Sequence, residues 1–118
     1  MEKPAEPANP EPGAGKPDSL IELRDLIRQF SAARDWQRFH TPKNLAMALS
    51  VEVAELVEHF QWLPTGADAE LDQKKREGIR HELADVLVYL IQLADQTGVD
   101  LRGAVLDKMA LNAKKYPV

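Results

Sequence analysis

Apolar residues recur every three to four positions along four segments of this 118-residue chain, and the segments are separated by residues typical of helix termini. Thr41-Pro42 predicts the N-cap and first residue of one helix, and Gly98 predicts the end of another. No segment alternates apolar and polar residues as a half-buried strand does. The sequence therefore predicts an all-α fold, and the short connections favour a four-helix bundle of antiparallel neighbours.

The helix boundaries follow from the same terminal residues. Ser19 and Glu22 form a capping-box pattern that opens the first helix, and Asp100 is placed to cap the fourth. The predicted helices span residues 20–34, 42–61, 69–97 and 101–114. The second helix is apolar on nearly every side, and one small bundle cannot bury such a helix alone. We therefore expect homo-oligomerisation to complete the fold, as a dimer or a tetramer.

Composition divides the chain into two parts. Residues 1–17 hold five of the eight prolines and no Leu, Ile, Val or Phe. Such a segment buries too little apolar surface to offset its ordering entropy, so we expect a disordered tail. Residues 18–118 form the single predicted domain.

Charge and hydropathy exclude several classes of protein. The net charge of −4 and the lack of a basic stripe argue against binding to a nucleic-acid polymer. No apolar run approaches the length of a membrane span, and the tail resembles neither a secretory signal nor a mitochondrial presequence. We therefore expect a cytoplasmic protein. Without cysteine, disulfides and thiolate metal sites are impossible.

Two pairs of acids fall on apolar helix faces, where acids are costly. At about 100° per residue, Glu52 lies on the same face as Leu45 and Leu56, and a similar placement recurs in the third helix. Packing of these faces would bring four carboxylates into one cluster, and buried carboxylates require pairing or a metal ion. The four residues are Glu52, Glu55, Glu82 and Asp85.

The donor set indicates which metal ion would fit. Carboxylate oxygens suit Mg²⁺, Mn²⁺ or Ca²⁺, and di-iron bundles instead use Glu-x-x-His pairs, which are missing here. We favour Mg²⁺, with Mn²⁺ as the alternative. Because protein-bound Mg²⁺ often also binds substrate phosphates, the pattern suggests phosphoryl chemistry. Solvent-exposed acid pairs on ordinary helices remain the simpler interpretation of each pair taken alone.

Glu52-x-x-Glu55 followed after 26 residues by Glu82-x-x-Asp85 resembles the signature of the MazG-like all-α nucleoside triphosphate pyrophosphohydrolases, and within them the dCTP pyrophosphatase group. The resemblance covers nearly all of residues 20–117. Further matching stretches include Arg34-Asp35-Trp36, Phe39-His40, Asn44-Leu45, Phe60-Gln61-Trp62, Val99-Asp100-Leu101 and Lys115-Tyr116-Pro117.

This resemblance implies an enzyme that hydrolyses a nucleoside triphosphate to the monophosphate and pyrophosphate with Mg²⁺. The four acids would be the catalytic metal ligands, and one of Glu52, Glu55 or Glu82 would also orient or deprotonate the attacking water. The substrate would be dCTP or a modified dCTP, as in house-cleaning of nucleotide pools. Two alternatives stay open: a MazG-type activity on dUTP or other non-canonical triphosphates, and a non-catalytic helical oligomerisation module with a structural metal ion.

The resemblance also implies a set of substrate-binding residues. Trp36 and Trp62 would form the base pocket, and Tyr89 would pack at the sugar. His40 and Asn44 would lie beside the pocket. The residues that would contact the triphosphate are Lys108, Asn112 and Lys115. Ile27 stands where dCTP pyrophosphatases carry a pocket histidine, which puts the base preference in question.

Overall fold

The computed structural model describes residues 18–118, and the predicted disordered tail lies outside that range. Four α-helices account for most of this part: α1 (Ser19–Ala33), α2 (Pro42–Glu58), α3 (Gln73–Thr97) and α4 (Leu101–Lys115). Short 3₁₀ turns occupy Gln37–Phe39 and Asp68–Glu70, and no strand occurs among the described residues. The all-α prediction with four helices is therefore confirmed.

The start of α1 differs by one residue from the predicted capping box. Asp18, and not Ser19, is the N-cap, because its Oδ1 accepts a hydrogen bond from the Leu20 N–H at 2.8 Å. Ser19 is the first helical residue. The aspartate one position earlier supplies the carboxylate that caps the first turn, so the hydroxyl is not needed for this role.

The predicted α2 and α3 both extend too far into the loop that joins them. Thr41 caps α2 and Pro42 follows it as predicted, but the helix ends at Glu58 because the next turn tightens to a Phe60 N–H to Val57 C=O bond. α3 begins at Gln73 behind the N-cap Asp72, four residues later than predicted. The residues before it form a separate 3₁₀ turn, Asp68–Glu70.

Glu70 organises the connection between α2 and α3. Its carboxylate accepts hydrogen bonds from the backbone N–H groups of Thr65 and Gly66 and from the Thr65 hydroxyl. These bonds to the ionised form lower the pKa of Glu70, the backbone N–H of Thr65 contributing most. The chain therefore turns at Gly66, where φ is 78°, and α3 begins only after its N-cap Asp72.

The core lies where α3 packs against α2 and, less extensively, against α1. Leu45, Ile91 and Ala94 are the buried apolar residues of the described part. α4 buries none of its residues and leaves four large apolar side chains exposed: Val105, Leu106, Met109 and Leu111. The expected homo-oligomer would cover such a surface, and it stays a prediction. None of the described helices combines the length and the apolarity that crossing a bilayer requires.

Candidate active site

Three of the four predicted acids meet between α2 and α3. Glu52 projects from α2, and Glu82 and Asp85 project one turn apart from α3. One carboxylate oxygen from each residue lies within 4.8 Å of the others. The cluster forms where these two helices pack together, and they are the most closely packed pair among the described helices. Three hard oxygen donors at this spacing can hold one metal ion.

Two of these carboxylates have an unsatisfied oxygen. Oε2 of Glu52 and Oε2 of Glu82 are inaccessible to solvent and have no hydrogen-bond partner among residues 18–118. A buried acceptor without a donor costs free energy, and two facing carboxylates also repel each other. A divalent cation would satisfy both oxygens and cancel the repulsion, so the residues present fit a metal ion.

Glu55 lies at the edge of the cluster. Its carboxyl group contacts that of Glu52, although it does not join the three closest oxygens. Burial, together with the neighbouring carboxyl groups of Glu82 and Glu55, raises the pKa of Glu52 to about 7. Without a cation the cluster therefore holds a proton near neutral pH, and a bound cation would lower the pKa again.

Lys75, a basic residue of α3, has its ammonium group engaged away from the cluster. Lys75 Nζ donates to the backbone carbonyl oxygen of His59 at 3.1 Å. The ion pairs of residues 18–118 involve other acids, so none of the four site carboxylates is neutralised by Lys, Arg or His in this part of the chain. The negative charge of the cluster is left for an external cation.

A cavity of about 480 Å³ opens beside the acid cluster, and Asp85 belongs to both. The volume falls in the usual range for small-molecule sites, and the wall is mainly apolar with a few polar groups. Its lining comes from α1, the following loop and α3: Leu26, Ile27, Phe30, Ser31, Trp36, His40, Asp85, Val88, Tyr89 and Gln92. Predicted base-pocket and sugar-site residues are thus close to predicted metal ligands.

The loop after α1 fixes the position of Trp36. The Trp36 N–H donates to the Ser31 carbonyl at 3.0 Å, and Asp35 takes a positive φ of 54° to turn the chain back. The indole meets Phe30 edge-on, with centroids 5.6 Å apart. Because 44% of Trp36 is exposed, an aromatic surface remains available to a planar ligand in the cavity.

Ser31 and Gln92 form a polar edge of the cavity that the sequence prediction missed. Gln92 Nε2 lies 3.3 Å from Ser31 Oγ and 3.1 Å from His40 Nδ1. Ser31 is only 4% exposed, so its hydroxyl is held inside the fold. The sequence places Gln92 on the cavity face of α3, because it follows Asp85 by seven residues and Tyr89 by three. It gives no indication of the contact with Ser31.

Trp62 and Asn44 lie outside the cavity within a single chain. Trp62 follows α2 and is 86% exposed. Asn44 uses its side-chain amide to donate to the Phe39 carbonyl at 3.0 Å, which closes the loop onto the start of α2. Their proposed substrate contacts stay predictions.

The predicted triphosphate contacts on α4 are also separate from the cluster. Lys108 and Lys115 are exposed, and Asn112 is half-buried. Lys115 places its ammonium group over the Tyr116 ring, 5.3 Å from the centroid. None of the three lines the cavity, and α4 packs only weakly on the other helices.

Residues 47–118 match the sequence model of the MazG-like family. The chain belongs to the MazG-like family. The matched range contains all four predicted acids, and the resemblance to the MazG-like family is confirmed.

Named relatives of this MazG-like chain include dCTP pyrophosphatase 1 from Bos taurus, 46% identical over 103 residues, and from Homo sapiens, 46% identical over 101 residues. These alignments cover 85% and 84% of this chain. The chain spans about 60% of the length of these curated relatives, 60% for the bovine and 59% for the human protein.

A solved structure of a pyrophosphatase from Archaeoglobus fulgidus DSM 4304 is similar in both fold and sequence. The TM-score is 0.79 and the identity is 40%, over 87% of this chain and 96% of that one. The four-helix arrangement described above is therefore shared with a protein that carries the pyrophosphatase name.

Proposed function

We propose that this MazG-like chain is a metal-dependent nucleoside triphosphate pyrophosphohydrolase that acts on dCTP or a modified dCTP. The observation that carries the proposal is the shared position of Asp85, which joins an unneutralised acid cluster to an apolar cavity with an aromatic wall. Such a site suits a ligand with a flat ring at one end and a metal-bound anion at the other. The relatives named dCTP pyrophosphatase 1 support the substrate class.

Mg²⁺ is the proposed ion, with Mn²⁺ as an alternative. Glu52, Glu82 and Asp85 would hold it, and Glu55 would complete the set from the edge of the cluster. When bound, the ion would neutralise triphosphate oxygens and polarise the reacting phosphate. The oxygen donors and the two buried, unpaired Oε2 atoms support this assignment.

The protein side chains would position the reaction and move one proton. Water adds across the bond between the α- and β-phosphates, which breaks, so that the monophosphate and pyrophosphate leave. One of Glu52, Glu55 or Glu82 would accept the proton of the water. Trp36 would stack on the base, while Tyr89 would pack against the sugar from the same face of α3 as Asp85.

The remaining predicted contacts fit an oligomeric form of the site. Lys108, Asn112 and Lys115 would bind triphosphate oxygens, but α4 lies largely apart from the cavity in one chain. Trp62 and Asn44 likewise lie outside the cavity of a single chain. We propose that a second copy in a dimer or tetramer brings such residues to the site, and we keep the sequence-based expectation of a cytoplasmic enzyme.

A screen of canonical and modified nucleoside triphosphates with Mg²⁺ tests the proposal. We expect release of pyrophosphate and not orthophosphate, with the highest kcat/KM for dCTP or a modified dCTP. A best substrate of dUTP or another non-canonical triphosphate would favour the alternative MazG-type activity. A protein that binds the metal ion but cleaves no triphosphate would be a structural module, and the proposal would be wrong.

A pair of variants on α2 locates the activity. Glu55→Gln should abolish turnover, because it removes a charge at the edge of the cluster without changing side-chain length. Glu58→Gln is the matched control, because it makes the same change three residues further along α2 at an exposed position. Wild-type activity in Glu55→Gln would overturn the site assignment.

A further inference from the structure

The amide of Gln92 is held in one orientation by two neighbours. Its Nε2 lies 3.3 Å from the hydroxyl of Ser31 on α1 and 3.1 Å from Nδ1 of His40 in the following loop. With the imidazole hydrogen on Nε2 of His40, Nδ1 accepts one amide hydrogen and Ser31 accepts the other. Both donors of the Gln92 side chain are then used.

Only the carbonyl oxygen of this amide remains for a ligand. No donor within residues 18–118 contacts Oε1 of Gln92, and the residue lines the cavity that Asp85 shares with the acid cluster. Of the other polar groups on the wall, the Ser31 hydroxyl and the His40 ring hold the amide, and Asp85 belongs to the cluster. The remaining two residues with polar atoms, Trp36 and Tyr89, are assigned to stacking on the base and packing against the sugar. Gln92 therefore presents a fixed hydrogen-bond acceptor to the edge of a ring bound against Trp36.

We propose that Gln92 is a specificity-determining residue that accepts a hydrogen bond from the 4-amino group of a cytosine base. The inference rests on the proposed function and names the chemistry by which that site would choose its substrate. Cytosine carries an amino donor at position 4, and uracil carries a carbonyl acceptor there. Against uracil, the Gln92 oxygen would meet a second oxygen and lose its partner, which is the mismatch that polar sites reject most strongly.

Ser31 has the role of a positioning residue in this arrangement. It is 4% exposed and follows Ile27 by one helical turn on the cavity face of α1. Ser31 contacts Nε2 of Gln92 and not Oε1, the atom proposed to face the base. Its hydroxyl therefore sets which end of the amide faces the base. Ser31→Ala should weaken base discrimination while leaving the acceptor in place.

The test compares dCTP with dUTP in the wild-type enzyme and in Gln92→Leu. We expect the wild type to favour dCTP, and the ratio of the two kcat/KM values to fall by about 10- to 100-fold in Gln92→Leu, as for the loss of one hydrogen bond. Ser31→Ala should lower the same ratio by a smaller factor. Gln73→Leu is the matched control, with the same substitution at an exposed position near the start of α3, and should leave the ratio unchanged.

Each outcome separates base reading from a structural role. Equal losses on dCTP and dUTP in Gln92→Leu would show that the side chain supports the fold only, and would overturn the inference. A wild-type preference for dUTP would also overturn it, because the amide would then present its NH₂ group. In the first case, release of pyrophosphate from dCTP by the wild type would leave the proposed function intact. In the second case, the activity would be the alternative MazG-type activity on dUTP.

A binding measurement keeps the inference testable if no triphosphate is cleaved. Trp36 lies in the cavity wall, so its fluorescence can report binding of dCMP and dUMP to the wild type and to Gln92→Leu. Because Trp62 also fluoresces, calorimetric titration of the same two nucleotides provides a second readout that depends on neither tryptophan. Stronger binding of dCMP that disappears in Gln92→Leu would support base reading, whereas equal binding of the two nucleotides by the wild type would refute it.

Discussion

Glu52→Gln should stabilise the metal-free protein while removing its stabilisation by metal ions. In the metal-free cluster, Glu52 faces Glu82 and Asp85 with carboxylate oxygens within 4.8 Å of one another, and Oε2 of Glu52 and of Glu82 lack partners. An amide of the same length carries no charge, and its NH₂ group can donate to a neighbouring carboxylate. The substitution therefore removes repulsion from the folded state but also removes a metal ligand.

The expected size of the effect follows from the geometry. Two like charges 4.8 Å apart repel by about 3.5 kcal/mol at an effective dielectric constant near 20 and by about 1 kcal/mol in bulk water. Glu52 is partly exposed, so screening favours the lower part of this range. We expect the free energy of unfolding of the metal-free protein to rise by about 1–2 kcal/mol at pH 8.

The pH dependence of the stability difference provides an independent check of this prediction. The pKa of Glu52 is raised to about 7, first by burial and then by Glu82 and Glu55, so the folded protein binds a proton that the unfolded chain has already released. Stability from this group is complete below its unfolded pKa and is lost as the pH rises through about 7. The advantage of Glu52→Gln should therefore be small at pH 5 and large at pH 8.

Denaturant unfolding in EDTA at fixed protein concentration, at pH 5 and pH 8, measures this difference. Repeating the series with Mg²⁺ should reverse the order, because the wild type gains stability from the bound ion and the variant gains much less. Glu58→Gln on the exposed side of α2 should match the wild type in every condition. A metal-free Glu52→Gln protein that is less stable than the wild type at pH 8 would refute the reasoning.

Three further changes test the fold. Leu45→Ala removes the most deeply buried side chain of residues 18–118, 1% exposed, and should lower the free energy of unfolding by about 2–5 kcal/mol, measured by urea unfolding. Asp95→Asn should destabilise the protein at neutral pH, because hydrogen bonds from Arg28 lower the pKa of Asp95; the difference should vanish as the pH falls through that lowered value, and an unchanged gap at low pH would contradict it. Gly98→Ala should cost about 1 kcal/mol in thermal unfolding, since φ is 69° and no atom lies near the added methyl group; an unchanged Tm would refute the backbone explanation.

The helices were predictable because their signals are local. Thr41 with Pro42, Gly98 and Asp100 each act within one turn of the chain, and each has the predicted role in the structure. The start of α3 was not predictable in this way. It depends on the carboxylate of Glu70 reaching the backbone of Thr65, a contact that periodicity does not encode.

In the candidate site, too, some features could be predicted from the sequence and others could not. The convergence of Glu52, Glu82 and Asp85 could be predicted, because acids on an apolar helix face require a shared environment. The hydrogen bond between Gln92 and Ser31 joins residues 61 positions apart, and a single glutamine on a helix face carries no signal strong enough to predict it. For Trp62, the resemblance implies a place in the base pocket, whereas the residue is 86% exposed in the single chain.

The weak packing of α4 has a consequence for how the molecule opens. Only Gly98, Val99 and Asp100 separate it from α3, and its direction is set by the left-handed Gly98 and by the Asp100 cap, with little help from tertiary contacts. A single chain can therefore unravel this last helix without separating α2 from α3. Amide hydrogens of α4 would then exchange with solvent through local fluctuations, while those around Leu45 and Ile91 would wait for cooperative unfolding of the core.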